Sequence, residues 1–538
     1  MGDVDMNYTI KIARDTEEFE GIFRLNYDTF VEEIPQHSVN KARKLIDQFH
    51  DENEYVICKA DNEIVGMMAL RDVRPFSLDK KLGKIEEHLE VAFSRPCEIR
   101  LLSVKPNFRN GRVFASMTGA LIRYCLYKGY DIAFISGTTR QSKLYKHLGF
   151  EPFAHLVGKD DVLFQPMYLT KEMFYQKEHL KNLSMVNSFL PGPVKVHDKI
   201  QSIFLSQPDW HRSQEHKQIA ESVFFKLKKL TNVKHASVFT GTGTVANDAI
   251  AAHLASLGTK GLILSNGEFG ERLEDHATRF GLSFDKLAKP WGTPYNMDEI
   301  RDLCQRNSYD WIWFVHCETS TGMLNNFEAI QSICEEFSAK ICIDAISSIG
   351  TVPLNFEKIY MASGVSGKAI GSITGLSFVL YNELETGLNK VPRYLDVKYY
   401  QECEGIPFTQ NSYLFKALDL ALDTLFEADY FARNVSRFSY VFDTLLAKGF
   451  SFVVDKDLTS PCVMTIVFPC EINAMDIGLD LYLNGYQVHF RNRYLIKNNW
   501  IQIALMNANE NIAIIEGLLH TLQNLYKEKV AMLTLNNA

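Results

Sequence analysis

From residue 236 onward, short apolar runs alternate with helical stretches. The runs are 236 to 240, 261 to 265, 311 to 316 and 341 to 344; a helical pattern follows each of the first three and a turn follows the fourth. Apolar strands separated by helices imply a parallel sheet covered on both faces. In open sheets of this kind ligands bind beyond the carboxyl ends of the strands. The chemically suggestive residues of this chain cluster at those ends.

The fourth run ends in Asp344, within Ile-Cys-Ile-Asp-Ala-Ile-Ser-Ser-Ile-Gly (341 to 350). Lys368 follows in Ala-Ser-Gly-Val-Ser-Gly-Lys-Ala-Ile-Gly (362 to 371). An acid ending an apolar strand, then a lone Lys between small residues, suits pyridoxal phosphate. The amine forms a Schiff base, and the acid keeps the pyridine nitrogen protonated so that the ring stores electrons. Taken alone, the two segments equally suit a buried strand with a turn Asp and an exposed loop Lys. Residues 238 to 247, Val-Phe-Thr-Gly-Thr-Gly-Thr-Val-Ala-Asn, read as strand, turn and helix start. There Thr242, Gly243 and Thr244 either cup an anion with free N–H groups or simply make a tight turn. Phe269, in Asn-Gly-Glu-Phe-Gly, either stacks on a ring or packs in a core. His-Cys-Glu-Thr-Ser-Thr-Gly-Met-Leu-Asn (316 to 325) adds hydroxyls and a carboxylate at the same edge.

These segments, with Leu190-Pro-Gly-Pro before them and Ser366-Gly-Lys-Ala-Ile-Gly-Ser after, resemble class V aminotransferases of the fold type I pyridoxal phosphate family. The similarity runs over about residues 189 to 527 and is closest to the 2-aminoethylphosphonate–pyruvate transaminase branch. It implies Lys368 as the Schiff-base lysine, Asp344 as the pyridinium partner and Phe269 as the ring stacker. It also implies Thr242, Gly243 and Thr244 on the phosphate, Thr319 near the ring hydroxyl and Ser366 as a further cofactor contact. Thr409, in Phe408-Thr409, would reach the phosphate of a neighbouring subunit, which implies a homodimer. One position departs from the family. An Arg in an Arg-Ile-Gly segment usually pairs with the substrate carboxylate; here Gln502 stands in Trp-Ile-Gln-Ile. Arg393, Arg491 and Arg493 are candidate replacements, or surface residues.

The first part of the chain is mixed α/β. Residues 98 to 115 run Glu-Ile-Arg-Leu-Leu-Ser-Val-Lys-Pro-Asn-Phe-Arg-Asn-Gly-Arg-Val-Phe-Ala, a strand, a basic loop and a helix. Residues 142 to 150 run Ser-Lys-Leu-Tyr-Lys-His-Leu-Gly-Phe. With Leu25-Asn-Tyr-Asp-Thr-Phe-Val-Glu-Glu-Ile-Pro they resemble GNAT-type N-acyltransferases, in the branch of N-acyl amino acid and acyl-homoserine lactone synthases, over about residues 7 to 165. The resemblance implies that Val104, Arg109, Gly111 and Arg112 hold a coenzyme A or acyl-carrier-protein thioester. Tyr145 would protonate the leaving thiolate, and Glu98 would be the base for the amine. Arg112 and Phe114 fill two places where the family pattern has Gly or Ala, and Phe114 narrows the loop.

The expected fold is α/β: a GNAT-like domain (1–170), a linker helix (171–187), a large parallel or mixed-sheet α/β/α domain of fold type I (188–428), and a small α/β domain (429–538). A formal net charge of -8 argues against nucleic acid and anionic membranes as partners. Ten Cys without a CxxC pair or metal-ligand spacing read as reduced thiols. The acidic first residues are no secretory signal, so the expected location is cytoplasmic. The functional expectation is a bifunctional transaminase and N-acyltransferase acting on consecutive steps of a small metabolite. The alternative is a pyridoxal phosphate lyase, decarboxylase or racemase carrying a non-catalytic docking or dimerisation module.

Overall fold

The computed structural model describes residues 8–60, 63–109, 111–159, 162–384, 391–506 and 511–536. The chain divides into two compact units that interleave along the sequence. One takes residues 1–187, 476–487 and 520–538; the other takes 188–475 and 488–519.

An eight-stranded sheet carries the first unit. Tyr8–Ile12, Glu54–Ala60, Glu63–Arg71 and Pro96–Val104 pair antiparallel in that order. Residues 61 and 62 lie outside the described residues. Pro96–Val104 then runs parallel to Ile132–Thr138, but the two pair only from Pro96 to Ile99 and part beyond it. Leu101, past the last pair, has a φ of 54°, which a branched aliphatic residue rarely adopts. Helix Arg112–Lys128 lays Val113, Met117, Ala120 and Leu121 on one face of the sheet, against Ile10, Val56 and Val65. It stops at Gly129, whose φ of 76° makes the left-handed C-cap. Helix Thr16–Tyr27 puts Ile22, Phe23 and Leu25 against Tyr55, Ile57 and Met67. Asp15 rather than Thr16 caps it, and the Glu18 carboxylate accepts from the Arg14 N–H at 2.8 Å.

Segment 171–187 is not one linker helix. It forms two short helices, Lys171–Tyr175 and Glu178–Ser184, within the first unit. Nor does 429–538 stay together. Leu479 and Leu483 join the core of the first unit. Arg123, buried there, donates to the Leu483 carbonyl at 3.1 and 2.6 Å and to the Leu183 carbonyl at 2.8 Å. Burial lowers its pKa to about 10. Glu528 bridges Lys11 and Lys59, and Lys529 reaches Asp15 at 3.3 Å.

The second unit is built on a seven-stranded sheet. Lys260–Ser265, Ser283–Ala288, Trp311–Val315, Lys340–Asp344 and Met361–Val365 are parallel; Leu376–Tyr381 inserts antiparallel between Met361–Val365 and His235–Thr240. Neighbouring residues on these strands bury on opposite faces. Ile312, Phe314 and Ile343 meet helices Gln214–Thr231 and Ser412–Thr424, while Trp311, Trp313 and Cys342 meet Gly243–Leu257 and Glu268–Arg279. Each such side chain contributes about 1.5–3 kcal/mol when fully buried. Three shorter strands, Ser451–Phe452, Val463–Val467 and Trp500–Ala504, form a separate sheet. Among the described residues no helix is long and apolar enough to cross a membrane.

Candidate active site

A cavity of about 290 Å³ opens at the carboxyl edge of the seven-stranded sheet. Asp344, Lys368, Phe269, Thr242, Gly243 and Thr244 line it together with Asn247, Arg272, His276, Cys317 and Ser347. Asp344 is fixed by two donors: Asn247 Nδ2 at 2.9 Å and the Ile346 N–H at 3.0 Å. Burial raises its pKa, against those hydrogen bonds and the charge of Lys368. Lys368 Nζ donates to Ser347 Oγ at 2.8 Å and lies 5.2 Å from the centre of the Phe269 ring. Burial lowers its pKa, and Asp344 pulls it back.

One wall of the cavity is the start of helix Gly243–Leu257. Thr242 is its N-cap but makes no side-chain capping bond, and no acidic residue sits in the first turn. The first N–H groups and the positive helix end are therefore offered to an anion. Gly243 is closely packed there: a Cβ would meet Ile346 Cδ1 at 2.6 Å, and that side chain would have to shift.

Glu318 holds the Phe269 wall in place. Its carboxylate, wholly buried, accepts the N–H groups of Phe269 at 3.1 Å and Gly270 at 2.9 Å, and so caps helix Glu268–Arg279. Burial pushes its pKa up despite these bonds.

Seven expected cofactor or substrate residues fall outside the cavity lining, among them Arg491 and Arg493, both exposed. Ser366 Oγ donates to the Ile373 carbonyl at 2.6 Å and closes its own loop. Thr319 is buried, and its carbonyl accepts from Gln502 Nε2 at 2.6 Å. Gln502 is itself wholly buried and fully engaged. Its Nε2 also reaches the Ser320 carbonyl and Thr465 Oγ1, while its Oε1 accepts from Tyr494 and His489. It therefore ties strands and loops together rather than facing a substrate. Arg393 is exposed, 5.6 Å from the Tyr399 ring, and Thr409 is exposed. Sequence reasoning missed Asn247, Arg272, His276 and Ser347, and placed the Glu318 carboxylate at this edge without its role as a helix cap. Arg272 was the most legible, since it follows Phe269 by three residues and so shares its helix face.

A second cavity, about 170 Å³ and mainly apolar, lies within the first unit where strands Pro96–Val104 and Ile132–Thr138 part. Ile99, Leu101, Ile135, Phe114, Leu121 and Tyr145 line it, among others. Tyr145 packs its ring on Gly137, where a Cβ would come within 2.6 Å, and burial raises its pKa. Glu98 is not placed as a base. Its buried carboxylate accepts from Ser77 Oγ at 2.6 Å and from the N–H groups of Ser77 and Leu78 at 2.9 and 3.1 Å, capping helix Ser77–Leu82. Arg109 gives both terminal nitrogens to Glu33, at 2.6 and 2.5 Å, and its Nε to the Val104 carbonyl at 2.8 Å. That pairing lowers the Glu33 pKa and raises that of Arg109. Gly111, with a φ of 83°, starts helix Arg112–Lys128, and Arg112 stands in its first turn.

Residues 201–392 match the aminotransferase class-V family, and residues 21–171 match the N-acyl amino acid synthase FeeM family. The chain carries one domain of each kind. An uncharacterised aminotransferase of Methanocaldococcus jannaschii is 27% identical over 251 residues, which cover 44% of this chain and 65% of that protein. The 2-aminoethylphosphonate–pyruvate transaminase of Phocaeicola vulgatus is 25% identical over 301 residues, 52% of this chain and 82% of its own. Among solved structures, an alanine–glyoxylate aminotransferase from Nostoc sp. superposes with a TM-score of 0.60 at 24% identity, covering 64% of this chain and 95% of its own. That likeness fixes the fold of the class V domain as pyridoxal phosphate fold type I.

Proposed function

We propose that the second unit is a pyridoxal phosphate-dependent transaminase and the first an N-acyltransferase, working on consecutive steps of one small metabolite. The observation that carries the first half is the placement of Lys368 and Asp344 on one cavity that begins at an uncapped helix N-terminus. The residues suit the cofactor: Asn247 Oδ1 is buried without a partner, beside Asp344, and the helix that starts at Gly243 turns its first N–H groups to the cavity. When bound, pyridoxal phosphate supplies an electron sink and a carrier for the amino group.

In this reading Asp344 holds the pyridine N–H, kept in position by Asn247 and the Ile346 N–H. The N–H groups and hydroxyls of Thr242, Gly243 and Thr244 hold the phosphate. Phe269 covers a ring face, and Glu318 keeps it there. Lys368 Nζ would hold the cofactor and, steadied by Ser347 Oγ, would carry a proton at the substrate Cα. Thr409, exposed and outside its own cavity, serves the site of a second copy in a homodimer. The protein works in the cytoplasm.

The apolar cavity supports the second half. Its walls suit an acyl chain, delivered as a coenzyme A or acyl-carrier-protein thioester, with Tyr145 beside it to protonate the departing thiolate. The pairing of Arg109 with Glu33 favours a second reading of this unit, a docking module without catalysis. Two assays decide. Keto-acid-dependent return of the amine form of the cofactor to the aldehyde form, read by absorbance, tests transamination; its absence with every keto acid tried would leave lyase chemistry. Thiol release from acyl thioesters in the presence of amines tests acyl transfer.

A further inference from the structure

Two thiols meet at the cavity wall. Cys317 lines the cavity and Cys462 sits behind it; both are buried, with their sulfurs 3.7 Å apart. Ser460 Oγ lies 3.0 Å from the Cys462 sulfur. The backbone keeps the pair together, because the Ser460 N–H donates to the Gly322 carbonyl at 2.8 Å and Met323 bridges to Thr459. The two sulfurs differ. Hydrogen bonding to Cys462, then burial, holds the Cys317 thiol well above the usual range. Burial pushes Cys462 up too, but hydrogen bonds from Cys317, Ser460 and Thr351 and the charge of Lys368 bring it below that range. Two buried thiols in contact, one of them on a cavity wall, are the arrangement in which a first sulfur reacts and a second resolves.

We propose that Cys317 and Cys462 form a redox modification site that a hydroperoxide closes into a disulfide, and that closure weakens cofactor binding. Hydrogen peroxide is close to water in size and can reach Cys317 through the cavity. One sulfur attacks a peroxide oxygen; the O–O bond breaks, a sulfenic acid forms and one water leaves. The other sulfur, losing its proton, displaces that oxygen as a second water. Two thiols and one peroxide thus give one disulfide and two waters, the sulfurs oxidised and the peroxide reduced. A disulfide brings the sulfurs from 3.7 Å to about 2.05 Å, which draws the Cys317 side chain back from the cavity it lines and pulls on its segment. Its neighbour Glu318 holds Phe269 and Gly270, and the movement passes to the Phe269 wall through one peptide bond. The effect on the cofactor rests on the reading of the cavity given above; the disulfide does not.

The test oxidises the full-length protein with stoichiometric hydrogen peroxide, then blocks free thiols and maps peptides. The expected product is a Cys317–Cys462 peptide pair, reversed by dithiothreitol and formed more slowly when the protein is saturated with pyridoxal phosphate. Exposed Cys470 reports that the oxidant was active. Oxidised Cys470 beside intact Cys317 and Cys462, or separate sulfinic acids on the pair, overturns the proposal. Equilibrium dialysis of pyridoxal phosphate should show at least tenfold weaker binding after oxidation; a disulfide with unchanged binding overturns the gating. A reduced protein that binds no pyridoxal phosphate overturns gating and cavity reading together, while the disulfide is still read. Cys317→Ser should abolish the cross-link; where that variant does not fold, Cys462→Ser serves.

Discussion

The Lys368 amine lies 2.8 Å from the Ser347 hydroxyl, on the turn that begins at Asp344. Base and acid of the cavity are thereby held from one short loop and the loop that follows. Borohydride reduction of the protein with pyridoxal phosphate should label Lys368 and no other lysine, and Lys368→Ala should remove the label. A label elsewhere in the peptide map would reject the assignment.

Asp344→Asn should leave the cofactor bound but cut the half-reaction rate by about a hundredfold or more, the usual scale for losing one preorganised electrostatic partner. Stopped-flow absorbance measures it. An unimpaired variant would remove Asp344 from the mechanism.

Gln502→Arg should not create a carboxylate site. Every polar atom of Gln502 is bonded inside the unit, so a guanidinium there would be a buried, unmatched charge. A loss of several kcal/mol in unfolding free energy is expected, read by denaturant titration of the wild type and variant. Unchanged stability would show that the network is looser than its geometry.

Acid should destabilise the second unit in a defined window. Burial holds His316 and His253 at about 4, against an ordinary 6.5; Asp396 opposes the effect at His253. The unfolded chain therefore binds more protons than the folded one between those values, and stability falls as pH drops from about 6.5 to about 4. Each histidine accounts for about 3 kcal/mol across that window. His253→Gln should flatten the curve of unfolding free energy against pH. A profile of unchanged steepness would count against the buried neutral imidazole.

In the first unit, Asp480→Ala should cost about 3–5 kcal/mol. Arg14 donates to both carboxylate oxygens at 2.7 and 3.2 Å and would lose its buried partner. Thermal unfolding checks this. A drop confined to surface-pair scale, under 1 kcal/mol, would show the pair to be dispensable.

Much of the second unit could be read from its residues, because its strands are continuous apolar runs and the chemistry sits within a few positions of their ends. Asp344, Lys368, Phe269 and the turn at Thr242 needed no long-range information to be placed on one edge. Glu98 and Gln502 failed for a shared reason. A carboxylate opening its strand looks like a base until helix Ser77–Leu82, some twenty residues earlier, is seen to sit on it. The partners of Gln502 come from four separate stretches of chain. Arg109 looked like an anion ligand because nothing local announces Glu33, 76 residues before it. Cys317 and Cys462 meet across 145 residues with no thiol motif at either end.

The interleaved units have a consequence for how the protein is made. The part synthesised first takes residues 476–487 and 520–538 into its own body. A growing chain must therefore emit most of the second unit before the sheet of the first can bury Leu479 and Leu483. Until then that sheet waits with an open apolar face, a target for chaperones or for another nascent chain. Cutting or grafting at residue 187 would leave the same face open in the finished protein.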